Sequence, residues 1–170
     1  MVRLLAAIGV IAILVALAMA AFFFGGYFDV AASHDNPAFI DKLIIKARIA
    51  SIRHRASGTP PFDLSDPAVV RNGARNFNEL GCVNCHGAPG VQWAKFSEGL
   101  NPDPPDLAEH TAARDPREIF WIVKNGIGMT GMPSFGATGV PDREIWAIAA
   151  FVKRLPKVSE QDFKAWSEAK

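Results

Sequence analysis

From Leu4 to Phe28 the chain is apolar and uncharged, following Arg3 and thinning into Gly25, Gly26 and Tyr27. That run is long enough to cross the hydrocarbon core of a bilayer as one helix. Ala18-Met19-Ala20 fits a signal-peptidase pattern, but Ala21 to Phe24 stays apolar where a cleaved leader turns polar. The expectation is an uncleaved anchor over residues 1–28, with Arg3 on the cytoplasmic side and everything after Tyr27 exported. Next, Asp35-Asn36-Pro37 gives a helix start, and Phe39, Ile40, Leu43, Ile44, Ala47 and Ala50 recur at helical spacing to about Ile52. This predicts an amphipathic helix within a connector over 29–58. Its apolar side either packs on the domain that follows or docks on a membrane surface or partner.

Ser57-Gly58-Thr59-Pro60-Pro61 is a turn-rich boundary, and 59–170 reads as the main domain. Ser65-Asp66-Pro67 caps a helix that carries Val69, Val70, Gly73, Ala74, Phe77 and Leu80 and stops at Gly81. Asp115-Pro116-Arg117-Glu118 opens another, with an acid at the capping-box position, ended by Gly126. A last strong helix runs from Pro141-Asp142 through Trp146 and Phe151 to about Leu155, where Pro156 ends it. Residues 87–106 and 126–140 are loops rich in Gly and Pro, and Lys164 to Lys170 reads as a short polar tail with at most one further helical turn. No alternating run is long enough for a strand, so the expected fold is all-α.

The 170 residues carry a formal charge of +1, which gives no reason to expect a nucleic-acid partner. The basic charge is local: between Pro37 and Gly58, Lys42, Lys46, Arg48, Arg53 and Arg55 face only Asp41. The cysteines are two, Cys82 and Cys85, with His86 directly after them. Cys82-Val83-Asn84-Cys85-His86 has the C-x-x-C-H spacing of c-type haem attachment. Two thiols a turn apart reach both vinyl groups of one porphyrin, and the adjacent histidine lies under the iron as axial ligand. A thioredoxin-like dithiol would need a βαβ context, and half a zinc site would need further ligands. One covalent haem c is therefore the expected cofactor. Downstream, Gly128-Met129-Thr130-Gly131-Met132-Pro133 offers two thioethers for the sixth iron position. His34, His54 and His110 stand in polar contexts and read as solvated surface. Trp93 and Trp121 are candidates for donating an indole N–H to a haem propionate.

From Ser65 to Leu155 the chain resembles the class I cytochrome c family. The resemblance rests on the helix with Gly73 and Phe77, the Cys82 to His86 motif, Pro105-Asp106-Leu107, the Met132-Pro133 loop and the terminal helix with Trp146 and Phe151. It implies a class I haem domain preceded by one transmembrane helix and the amphipathic helix. It also implies Met132 as sixth ligand with Met129 a neighbour lining the pocket. The Pro105 carbonyl would accept a hydrogen bond from His86, and Gly73 and Phe77 would form the contact with the last helix.

With His86 and Met132 filling both axial positions there is no open iron site and no small-molecule substrate, so electron transfer is expected in place of catalysis. The implied setting is the bacterial inner membrane, single-pass, with the haem domain in the periplasm. Its partners would be the membrane and redox proteins: a quinol–cytochrome c oxidoreductase, a terminal oxidase or a periplasmic dehydrogenase. A haem-based sensor that binds a small ligand is the alternative class. A two-haem peroxidase would need a second C-x-x-C-H.

Overall fold

A computed structural model describes residues 1–111 and 113–168. Among these the secondary structure is helical, with no strand beyond one isolated bridge between Ala88 and Val91. The chain divides into two compact units, Met1–His34 and Asp35–Lys170.

The first unit is α1, Val2–Phe24, followed by a short turn. Its mean hydropathy reaches 2.8 and none of it is buried, so it is long and apolar enough to cross a membrane. Phe22, Phe23 and Phe28 cluster where the helix ends, with Phe22 edge to face on each of the other two rings. Asp29 then accepts the Ala31 N–H at 2.8 Å and pairs with His34 at 2.6 Å.

The second unit begins with α2, Ala38–Arg55. α3 (Pro67–Glu79) and α6 (Pro116–Asn125) start as the sequence predicts: Asp66 accepts the Ala68 N–H at 2.7 Å and Asp115 the Arg117 N–H at 2.8 Å, each ahead of a first-turn proline. Glu118 does not close a capping box. Its carboxylate is turned to Arg114 at 3.2 Å and, across the unit, to Arg53 of α2 at 3.6 Å.

The core is built on α7, Asp142–Arg154, whose residues 145 to 152 are all buried. α3 crosses it at Gly73, where a Cβ would lie 1.9 Å from the Ala147 carbonyl oxygen, so the two backbones touch. Phe77 packs on Phe151 beside that crossing with ring centres 5.3 Å apart. On the other side of α7, Phe120 of α6 stacks on Trp146 at 4.1 Å and 9°. The expected polar tail is instead a helix, α8 (Glu160–Ser167), capped by Ser159, and its Phe163 is buried against Phe151 at 5.7 Å. Lys170 lies outside the described residues. Short α4 (Val83–His86) and α5 (Leu107–His110) lie between α3 and α6 with a 3₁₀ turn, Lys95–Gly99. Thr111, which is buried, bonds back to the Leu107 carbonyl and across to that of Val152 at 3.3 Å, fixing α5 to α7.

Candidate functional site

Cys82, Cys85 and His86 are presented by a tight reversal at the end of α3. Gly81 adopts φ 76°, a conformation that favours glycine, and the Cys82 N–H reaches back to the Phe77 carbonyl at 3.0 Å. Cys82 caps α4, and the His86 N–H closes on the Cys82 carbonyl at 3.0 Å, so both sulfurs and the imidazole project from a single turn. Gly87 at φ 63° ends it. Both thiols are free and half-buried. Burial pushes the Cys82 thiol up to about 12, the opposite of the lowered value that marks a reactive dithiol. Among the described residues no three His, Cys, Asp or Glu side chains gather to hold a bare metal ion, so the half-zinc-site arrangement finds no partner there.

The His86 ring is fixed by a contact nineteen residues away: its Nδ1 lies 3.0 Å from the Pro105 carbonyl oxygen. A carbonyl only accepts, so Nδ1 carries the proton and Nε2 of the neutral ring keeps its lone pair. Burial lowers the His86 pKa and favours that neutral form, with the bond to Pro105 opposing it. The carbonyl is itself held in place. Asp106 caps α5 by accepting the Ala108 N–H at 2.7 Å and that of Glu109 at 3.3 Å, while Leu107 and Ala108 pack against the core.

Met132 is brought to the edge of the core by a clamped loop. The Ile127 N–H donates to the Met132 carbonyl at 3.1 Å. The Thr130 hydroxyl donates to the Ile127 carbonyl at 2.7 Å and accepts the Met132 N–H at 3.1 Å. Ser134 Oγ and the Gly136 N–H both reach the Lys124 carbonyl at the end of α6, at 2.7 and 2.9 Å. Gly126, at φ 68°, has no room for a side chain: a Cβ would stand 2.8 Å from the Met132 carbonyl oxygen. Met129 departs from its expected place as a neighbour lining the pocket. It is 98% exposed at φ 60°, and so packs against none of the core.

Trp93 is 52% exposed and stands with His86, Gly87, Asp106 and Leu155 around an open pocket of about 610 Å³. The Glu98 carboxylate beside it is held below the ordinary range chiefly by the hydrogen bond from Lys95. Trp121 is half-buried on α6 and does not line this pocket, nor does Met132, so the pocket covers the His86 side alone. His54 and His110 are exposed, as is His34 in its pair with Asp29. The residues present fit a haem nonetheless: two unpaired thiols suit covalent attachment to its vinyl groups, and an imidazole with one nitrogen engaged and the other free, with a held thioether, suits its iron.

What sequence reasoning missed are Thr130, Ser134 and Gly126 as the clamp of the methionine loop and Asp106 as the cap that steadies Pro105. Asp106 before Leu107-Ala108-Glu109 carried a readable cap signal, whereas the clamp exists only once the loop is closed.

The family model for cytochrome c oxidase, cbb3-type, subunit III matches residues 68–152, from the start of α3 to the end of α7 and half of the chain. No curated protein and no solved structure matches the chain. The chain belongs to the cbb3-type subunit III family, a class I monohaem c-type cytochrome domain, as its Cys82 to His86 and Met132-Pro133 motifs suggested.

Proposed function

We propose that this member of the cbb3-type subunit III family is a single-electron carrier of a periplasmic respiratory chain, and not itself an enzyme. Its domain, residues 59–170, would hold one haem through Cys82 and Cys85, with His86 and Met132 as the axial ligands. The haem supplies a reversible one-electron couple at iron. The observation that carries the reading is the 3.0 Å bond from His86 to Pro105, which leaves a single lone pair aimed away from the backbone. That bond fixes the ring orientation and raises its basicity as a ligand. The clamp on Met132 favours a filled sixth position over a ligand-admitting sensor. We place α1 as a single span of a bacterial inner membrane with the haem domain in the periplasm. The chain then either links a quinol-oxidising complex to an oxidase or serves as the cytochrome subunit of a membrane-bound oxidoreductase, with redox proteins as partners.

Acid–acetone extraction of the purified protein tests the attachment. The colour should stay with the polypeptide, and the intact mass should exceed that of the bare chain by one haem. Colour passing into the solvent overturns the assignment.

A further inference from the structure

α2 has two apolar faces, and the fold covers one of them. At 100° per residue Asp41, Ile45, Arg48, Ile49 and Ile52 share a side; Ile45 on it is still 41% exposed, Arg48 and Ile49 are half-buried, and Ile52 is 3% exposed where α2 packs on α6. Opposite that side stand Phe39, Leu43, Ala47 and Ala50. Phe39 is 70% and Leu43 66% exposed, and Ile44 on the flank is also open. Lys42 and Lys46 border the stripe on its other flank, whereas Asp41, the helix's acid, lies on the covered side and accepts from Asn36 at 3.1 Å. Bare phenylalanine and leucine edged by lysines is the arrangement of a helix lying in a membrane interface. There the apolar residues enter the acyl boundary and the lysine stems carry their charge to anionic headgroups. An acidic protein surface would use the lysines but would leave the apolar stripe without a role. Only residues 25–37 separate α2 from the apolar helix α1, about 45 Å of chain at full extension.

We propose that the face of α2 carrying Phe39, Leu43, Ala47 and Ala50 rests on an anionic phospholipid surface. The inference rests on α1 being membrane-inserted.

The test uses the full-length haem protein in phosphatidylcholine vesicles with and without phosphatidylglycerol, recovered by flotation. Nitroxide is attached to Leu43→Cys or, as a solvent reference on α8, Gln161→Cys, with a single label confirmed by mass. Power saturation then compares access of oxygen with that of a water-soluble nickel chelate. In phosphatidylglycerol vesicles residue 43 should be several-fold less open to nickel than residue 161 and more open to oxygen. Lys42→Glu with Lys46→Glu should return it toward the aqueous value at low salt, with the visible spectrum unchanged. Equal nickel access at 43 and 161 in floated protein overturns the proposal, as does protection of 43 that appears only when an acidic protein is added. Protein that does not float overturns the membrane reading of α1 as well, a separate result.

Discussion

His86 and Pro105 are joined by a 3.0 Å hydrogen bond, and the strand of chain bearing that carbonyl is pinned one residue later by the Asp106 cap on α5. Ligand orientation is therefore tied to a helix start. Asp106→Ala should cost about 1 kcal/mol of stability, the usual loss for a side-chain cap. It should also raise the reduction potential, because a histidine whose N–H loses its acceptor is a weaker donor to ferric iron. Denaturant titration and potentiometry check the two effects, and a potential that does not move would separate the cap from the ligand.

On the distal side, Met132→Ala should abolish the methionine-to-iron charge-transfer band and lower the potential, since a thioether favours ferrous iron. Met129→Ala should leave both almost intact, because the side chain is free of the core. Thr130→Val removes the hydroxyl that joins the Ile127 carbonyl to the Met132 N–H. The band should survive at low temperature and disappear on heating earlier than in the parent, while Thr130→Ser restores the parent behaviour. The reverse ranking of the two methionines would show that the ligand is Met129.

How far the sequence carried depended on whether the signal was local. Asp66-Pro67 and Asp115-Pro116 announced α3 and α6 because a cap and a first-turn proline act within three residues. Cys82 to His86 was legible for the same reason. Glu118 misled because its carboxylate is taken by Arg114, four residues before it, and by Arg53, which reaches it only after α2 docks. The face of α2 that the fold covers, with Ile49 and Ile52, stayed hidden because the helical spacing of Phe39, Leu43, Ala47 and Ala50 marks apolar positions without saying which of them the fold covers. α8 escaped because it is stabilised by burying one residue, Phe163, against a ring on another helix. The Thr130 clamp is invisible in sequence, since a threonine between glycines reads as ordinary loop.

The α3–α7 crossing should be the most sensitive place in the core. A methyl group at residue 73 would overlap the Ala147 carbonyl and press on Cβ of Phe151 at 2.9 Å, with helix backbone and no flexible side-chain tip to yield. Gly73→Ala should cost about 3 kcal/mol, the upper range for overpacking, although alanine is the better helix former by about 1 kcal/mol. Urea unfolding followed by circular dichroism measures it. A cost under about 1 kcal/mol would mean that the helices separate easily.

Asp115 gives a pH dependence whose sign follows from its partners. Its carboxylate is held at about 2, below the ordinary 3.8, first by the Arg117 guanidinium at 2.6 and 3.0 Å and then by the Arg117 N–H. A carboxylate with a folded pKa below its unfolded one binds fewer protons in the native state. Its contribution is therefore complete above about pH 4 and is lost as the pH falls toward 2. Asp115→Asn keeps an acceptor for the cap but cannot ionise, so the variant should be less stable at neutral pH by an amount that is modest for so exposed a pair. The gap between the two proteins should close between pH 4 and pH 2. Taking the difference cancels protonation at His86 or any other shared site. Parallel stability curves across that range would show that the Arg117 pair makes no net contribution and that the cap alone matters.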